Sequence, residues 1–270
     1  MKQNAAIAYI MEDPREAARL EAKVDPEAWV KKYLAHRVHP GANVLSVGCG
    51  PGVILSAVTA LPFSIKGTGI DVSSDRVKEA IQRNRDNSRV EFVCGDAQAM
   101  QLPSDSFDLV YTRMLLQYLR EKQKAIAEMV RVCKPGGTVL LQDLDGQLLW
   151  HYPEDPVLQR GIEKVLAALA TTGFDPFVGR KLFWLAQRAG LEQLDVQVEC
   201  YHLIAGAAQP HILKQWELKL DIAKFQMAKV FGSKAEAADH VARFLEYLRR
   251  PETLTYSTVF TVTGKKALRS

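Results

Sequence analysis

Three glycines at alternate positions, Gly48, Gly50 and Gly52, follow directly on the apolar run Val44-Leu45-Ser46-Val47. A short apolar run bounded by turn residues reads as a buried strand. Glycine lets the backbone turn sharply and come close to a ligand, because no Cβ intervenes. Residues 52–61 then take up helical spacing. A strand, a tight glycine turn and a helix in that order leave few architectures open, and all of them are α/β.

The alternation continues downstream. Strand-like runs at Val44–Val47, Gly67–Val72, Val90–Cys94, Phe107–Tyr111 and Thr138–Gln142 are separated by helical stretches at 52–61, 74–86 and 117–133. This pattern predicts a parallel sheet with helices on both faces, joined by right-handed crossovers. Before the first strand, 14–37 reads as one or two helices, with Pro14 and Pro26 at first-turn positions. Beyond 143, Pro153 and Pro156 break the chain, then 157–171 and 179–189 look helical up to Gly190. Leu191–Tyr201 alternates as a strand should, 209–249 is helical, and Thr253–Thr263 is rich in β-branched residues. The expected fold is α/β, a doubly wound and mostly parallel seven-stranded sheet whose final strand is antiparallel, with extra helical segments forming a lid.

Two acids give the sheet a chemical direction. Asp71 ends the second strand, where a carboxylate can accept from both hydroxyls of a ribose. The dinucleotide fingerprint wants a third glycine where this chain has Val53, so the loop suits a nucleoside-like ligand better than a pyrophosphate. The plain alternative is that the glycines only make a turn. Asp96, in Val93-Cys94-Gly95-Asp96-Ala97, follows the third strand. In a doubly wound sheet these strand ends open onto one crevice, so Asp71 and Asp96 would hold the ribose and the adenine amino group. A helix N-cap is the other role for Asp96.

From Val44 to Asp143 the chain resembles the class I S-adenosylmethionine-dependent methyltransferases, especially the branch acting on small molecules. The resemblance rests on the Gly48–Gly52 loop, Gly69-Ile70-Asp71, Gly95-Asp96-Ala97, Phe107-Asp108-Leu109-Val110 and Arg131-Val132-Cys133-Lys134-Pro135-Gly136-Gly137. Gly179-Arg180-Lys181-Leu182 through Ala189-Gly190-Leu191 resembles the helix before that family's sixth strand. It implies S-adenosyl-L-methionine as cofactor, with Gly48 and Gly50 against its methionine part, Asp71 on the ribose and Val72 against the adenine. Asp96 and Ala97 would face the adenine edge. Arg113 matches a position touching the methionine end, and Tyr9 and Arg19 lie in the segment that covers the cofactor in related enzymes. The implied division is an N-terminal helical lid at 1–37, a Rossmann-like core at 38–204 and 252–270, and a helical insertion at 205–251. Two departures stand out: Ser46 replaces the family's acid in the first strand, and Gln117-Tyr118 stands where a histidine is common.

Composition narrows the remaining choices. With 270 residues, 47% hydrophobic and 24% charged, the chain is ordinary for a globular protein, and a net charge of +4 names no partner. Its four cysteines form no C-x-x-C pair, which argues against a zinc site or a disulfide framework and for a cytoplasmic protein. The apolar run Ala5–Met11 lacks a cleavage site and no stretch reaches membrane-span length. Lys214, Lys219, Lys224 and Lys229 recur every five residues and wind around a helix, so no nucleic-acid face is expected. Aromatics in the helical additions, Trp150, Phe174 and Trp216 among them, read either as core or as a roof over an apolar substrate. The expected activity is methyl transfer to a small, partly apolar metabolite. A nucleic-acid or protein methyltransferase and a non-catalytic binding protein stay open, as does the oligomeric state. Asp143, His151 and Tyr152 follow the fifth strand, but no catalytic residue and no metal ligand is assigned.

Overall fold

The computed structural model describes residues 24–268. Its centre is β1 (Asn43–Val47), buried along most of its length as a near-continuous apolar run must be in a parallel sheet. β1 lies between β2 (Lys66–Asp71) and β4 (Phe107–Arg113), β2 adds β3 (Val90–Cys94), and β4 adds β5 (Cys133–Tyr152), all parallel. β7 (Leu254–Lys266) runs antiparallel between β5 and β6 (Leu191–Ala205). The seven strands therefore stand in the order β3-β2-β1-β4-β5-β7-β6, with the final strand antiparallel as the sequence predicts.

Strand side chains alternate between the two faces, and each set finds helices. On one face Val44, Leu109, Tyr111 and Leu140 pack against Trp29, Val30 and Tyr33 of α1 (Pro26–Tyr33) and Leu55 and Val58 of α2 (Val53–Thr59). α3 (Ser74–Arg83) begins at Ser73, whose hydroxyl caps the Arg76 N–H. On the other face Leu45, Val47, Val110, Val139 and Leu141 meet Ile126 and Met129 of α4 (Lys122–Val132) and Leu182 and Leu185 of α6 (Leu182–Arg188); α5 (Pro156–Thr171) comes between those two in sequence.

The fifth strand corrects the sequence reading. Asp143, His151 and Tyr152 are not in a loop beyond β5 but within it. Asp145-Gly146 looks like a turn in sequence, yet here Gly146 at φ 84° and a register shift between Asp145 and Trp150 form a bulge, and pairing with β7 resumes. The two buried acids are tolerated because each has partners: Asp143 accepts from the N–H groups of Gln117 and Leu144, and Arg180 clamps the Asp145 carboxylate with Nε at 2.9 Å and Nη2 at 2.6 Å.

β5, β7 and β6 thus rise past the crevice end of the sheet as a three-stranded arm. On it sit α5, α7 (Pro210–Ile222), α8 (Lys224–Phe231) and α9 (Lys234–Arg249). Their shared core contains Leu158, Ile162, Ile204, Trp216, Phe244, Tyr247 and Leu248. Asp155 ties the unit down, capping the N–H groups of Val157 and Leu158 and holding Arg243 of α9 at 3.0 Å. The chain leaves β6 and re-enters β7 on one rung, Ala205 opposite Leu254. No helix among the described residues is long and apolar enough to cross a membrane.

Candidate functional site

The glycine loop is held by β2. The Ile70 carbonyl accepts from the N–H groups of Gly48 and Cys49 at 2.8 and 3.0 Å, and one Asp71 carboxylate oxygen accepts from Gly50 N–H at 2.8 Å. The other oxygen accepts from Ser73 N–H at 3.0 Å, which sets the start of α3. Gly50 has φ 54°, and a Cβ built there would meet nothing within 4 Å among the described residues, so this turn faces space that none of them fills. Gly52, at φ 78°, serves packing instead: a Cβ there would come 2.7 Å from the Phe92 ring.

The other residues singled out in the sequence gather at the same edge. Gly95 N–H donates to the Asp71 carbonyl at 3.0 Å, which brings the end of β3 beside the end of β2. Val72 is exposed, Ala97 is buried, and the exposed Asp96 carboxylate accepts from Gln98 N–H at 2.8 Å, an Asx-turn contact of the capping kind. Arg113, at the end of β4, donates from Nη2 to the Tyr201 hydroxyl of β6 at 3.1 Å, the two side chains reaching toward each other from strands separated by β5 and β7. Tyr9 and Arg19 lie outside the described residues.

Several groups here went unnoticed in the sequence. Trp29 Nε1 donates to Gln142 Oε1 at 2.7 Å, and Gln142 Nε2 donates on to Thr261 at 2.7 Å, a buried polar file beneath the Arg113–Tyr201 pair. Tyr111, directly opposite Ser46 in the β1–β4 register, is fully buried with its ring against Trp29. Only contacts between residues far apart in sequence create these arrangements, and no local pattern signals them. Asp143 is also fully buried; its carboxylate accepts from Gln117 N–H at 3.1 Å and its own following N–H at 2.9 Å, ordering the turn after β4. Burial pushes its carboxyl up to about 7. His151 is a core residue of the helical unit, its Nδ1 on Thr255 at 3.0 Å and its ring against Tyr247 and Phe244. The Cys133 thiol is pushed up to about 12 by burial, far from a reactive thiolate. No cluster of metal-ligating side chains occurs among the described residues. A cavity of about 330 Å³ lined by His36, Arg37, Gln193 and Lys265 opens at the opposite end of the strands, away from the glycine loop.

Comparison with known proteins matches the strands β1 to β5 that carry this edge. Residues 45–141 match the family model described as a methyltransferase domain. The chain is 32% identical over 129 residues to the 2-methyl-6-phytyl-1,4-hydroquinone methyltransferase of Synechocystis, covering 46% of this chain and 40% of that protein. It is 38% identical over 102 residues to ajmaline N-methyltransferase of Rauvolfia serpentina, covering 37% of this chain and 35% of that protein. The match thus spans less than half the length of these curated relatives. The crystal structure of the YcgJ protein of Bacillus subtilis superposes with a TM-score of 0.60 over 89% of this chain and 98% of that one, at 19% identity, a likeness of fold. Residues 45–141 thus match a methyltransferase domain, and the sheet that contains them has the fold of the class I S-adenosylmethionine-dependent methyltransferases.

Proposed function

We propose that the chain binds S-adenosylmethionine at the carboxyl ends of β1, β2 and β3 and transfers its methyl group to a small, partly apolar acceptor. The observation that carries this reading is the unit formed by Gly50 and Asp71, hydrogen-bonded to each other at 2.8 Å with space over the glycine that none of the described residues fills. The loop is thereby shaped before a ligand arrives, which lowers the ordering cost of binding. A carboxylate has about four acceptor directions. Two are used on Gly50 and Ser73, so Asp71 retains capacity for the ribose hydroxyls. Val72 and Ala97 would bracket the adenine and Asp96 would take its amino group, exchanging the Gln98 contact for it. Gly48 and Arg113 would flank the amino-acid end.

When bound, the sulfonium cofactor supplies a methyl group already activated for transfer. The protein's part is alignment of the acceptor and exclusion of water. The helical unit on the arm rises on the crevice side of the sheet and gives the acceptor an apolar wall. Residues 1–37 and 205–251 are read as covering segments and the remainder as the catalytic core, with the whole in the cytoplasm, where its thiols stay reduced. The relatives named for 2-methyl-6-phytyl-1,4-hydroquinone and for ajmaline support a small acceptor over a polymer. No side chain is assigned as a general base.

Titration calorimetry with S-adenosylmethionine, its demethylated product and NAD tests the reading: heat is expected with the first two alone. Asp71→Ala should weaken both by about 1–3 kcal/mol, the usual loss for a charged hydrogen-bond partner. It should also lower the melting temperature modestly, because Gly50 and Ser73 lose an acceptor. Preferential binding of NAD would overturn the assignment.

A further inference from the structure

The Tyr111 hydroxyl is buried and makes no hydrogen bond within the geometry of one among the described residues. A buried donor without a partner is destabilising and uncommon in a native fold. Its surroundings say where a partner would come from. Ser46 lies opposite on β1, and the next residues along that strand are Val47 and the glycine loop. Burial drives the phenol well above its ordinary range; the Ser46 hydroxyl and the Arg113 charge act against this, and Cys49 acts with it. By register Ser46 stands beside Tyr111, and Arg113, two residues on along β4, shares its face in the last rungs before the glycine loop. The Trp29 ring closes off the α1 side, 5.7 Å from the Tyr111 ring. Arg113 Nε is likewise buried there without a hydrogen-bond partner among the described residues.

We propose that the hydroxyls of Tyr111 and Ser46 form a neutral polar subsite for the amino-acid end of S-adenosylmethionine, at the β1 position where the family resemblance implies an acid. This rests on the cofactor reading above and adds which residues meet that end. The phenol can donate to the ligand carboxylate or accept from its ammonium, and Arg113 supplies a positive charge for that carboxylate. A neutral pair places no charge on the cofactor side of β1. The subsite therefore has no means of favouring the sulfonium over the uncharged thioether product, and it treats the two alike.

The test is Tyr111→Phe, which keeps the ring and removes the oxygen. Calorimetry is run with S-adenosylmethionine, S-adenosylhomocysteine and methylthioadenosine, the last lacking the amino-acid end, and melting is followed without ligand. The expected result is a loss of about tenfold for the first two ligands, equal within error, with methylthioadenosine unchanged. The ligand-free variant should melt at or above the parent, because an unpaired buried hydroxyl has gone. Ser46→Ala should move the same two affinities in the same direction by a smaller factor, and it serves alone if Tyr111→Phe does not fold. Unchanged affinities, an equal loss for all three ligands, or a lowered melting point with intact binding would each overturn the subsite, the last by showing a purely structural hydroxyl. Failure of the parent protein to bind any of the three would overturn the cofactor reading itself, and the subsite with it.

Discussion

The doubly wound core and the helical unit on the arm are held together in different ways. The core is a sheet sandwiched between helices, with two extensive apolar clusters and a crevice floor tied by backbone hydrogen bonds. The helical unit has one smaller cluster, in which aromatic rings meet edge to face: His202 on Trp216 at 5.7 Å and Trp216 on Phe244 at 5.5 Å. Asp155 and Arg243 clasp it at one end. Redundant burial makes the first region tolerant of a single loss, whereas the second concentrates its stability in a few large side chains.

The largest effect should come from truncating one aromatic in each region. Trp216→Ala and Trp29→Ala should each cost about 3–5 kcal/mol, the range for emptying a buried aromatic site. Hydrogen exchange distinguishes their reach. Trp216→Ala should strip protection from 156–171 and 210–249 while β1 to β4 stay protected. Trp29→Ala also frees the Gln142 amide oxygen and should loosen α1 and the β4–β5 rungs instead. Uniform loss of protection in both variants would show that the two regions unfold as one, and the contrast would fall.

Two buried carboxyls sharpen the comparison through pH. Asp143, in the core, has its carboxyl pushed up to about 7 by burial, so the folded chain holds that proton more tightly than the unfolded one. Stability from this group therefore declines as pH rises from about 4 towards 7, by at most about 1.4 kcal/mol per unit. Asp143→Asn should flatten the decline in a series of melts across that window. For Asp155, in the helical unit, burial alone would raise the carboxyl, but Arg243 and the capping N–H groups outweigh it and hold it below the usual value. Its contribution is present above about pH 4 and is lost as pH falls below that, the opposite sense. The smallest of the expected effects is Asp155→Ala at neutral pH, about 2 kcal/mol for the lost cap and partly exposed pair, measured by denaturant unfolding. A parent protein whose stability is level from pH 4 to 7 would refute the Asp143 assignment.

The two regions also differ in how far they can be read from sequence. β1 to β4 and their helices declare themselves because short runs of apolar and small residues alternate with stretches of helical spacing, signals that need no partner to be seen. The glycine loop and Asp71 were legible for the same reason: their spacing is local. The arm was legible only in part: β6 and β7 declare themselves as strands, but β5 reads as ending at Gln142, and Asp143 looks like a residue beyond it until the Gln117 N–H, distant in sequence, arrives to satisfy it. Near the crevice, Trp29, Gln142 and Thr261 come from a helix and two strands far apart in sequence, and only the fold brings them into contact. Asp71 was read as a ligand for a ribose; its added duty of holding Gly50 became visible only with the loop folded.

The insertion between β6 and β7 departs and returns through a single rung, Ala205 facing Leu254, with Gly206 N–H on the Thr253 carbonyl at 2.7 Å just beyond. A segment whose two ends are already neighbours adds closure entropy only as the logarithm of its length. It can grow, shrink or be exchanged while the ladder below keeps its register. The crevice floor and the helical insertion are therefore separable under mutation, and one can diversify while the other stays constant.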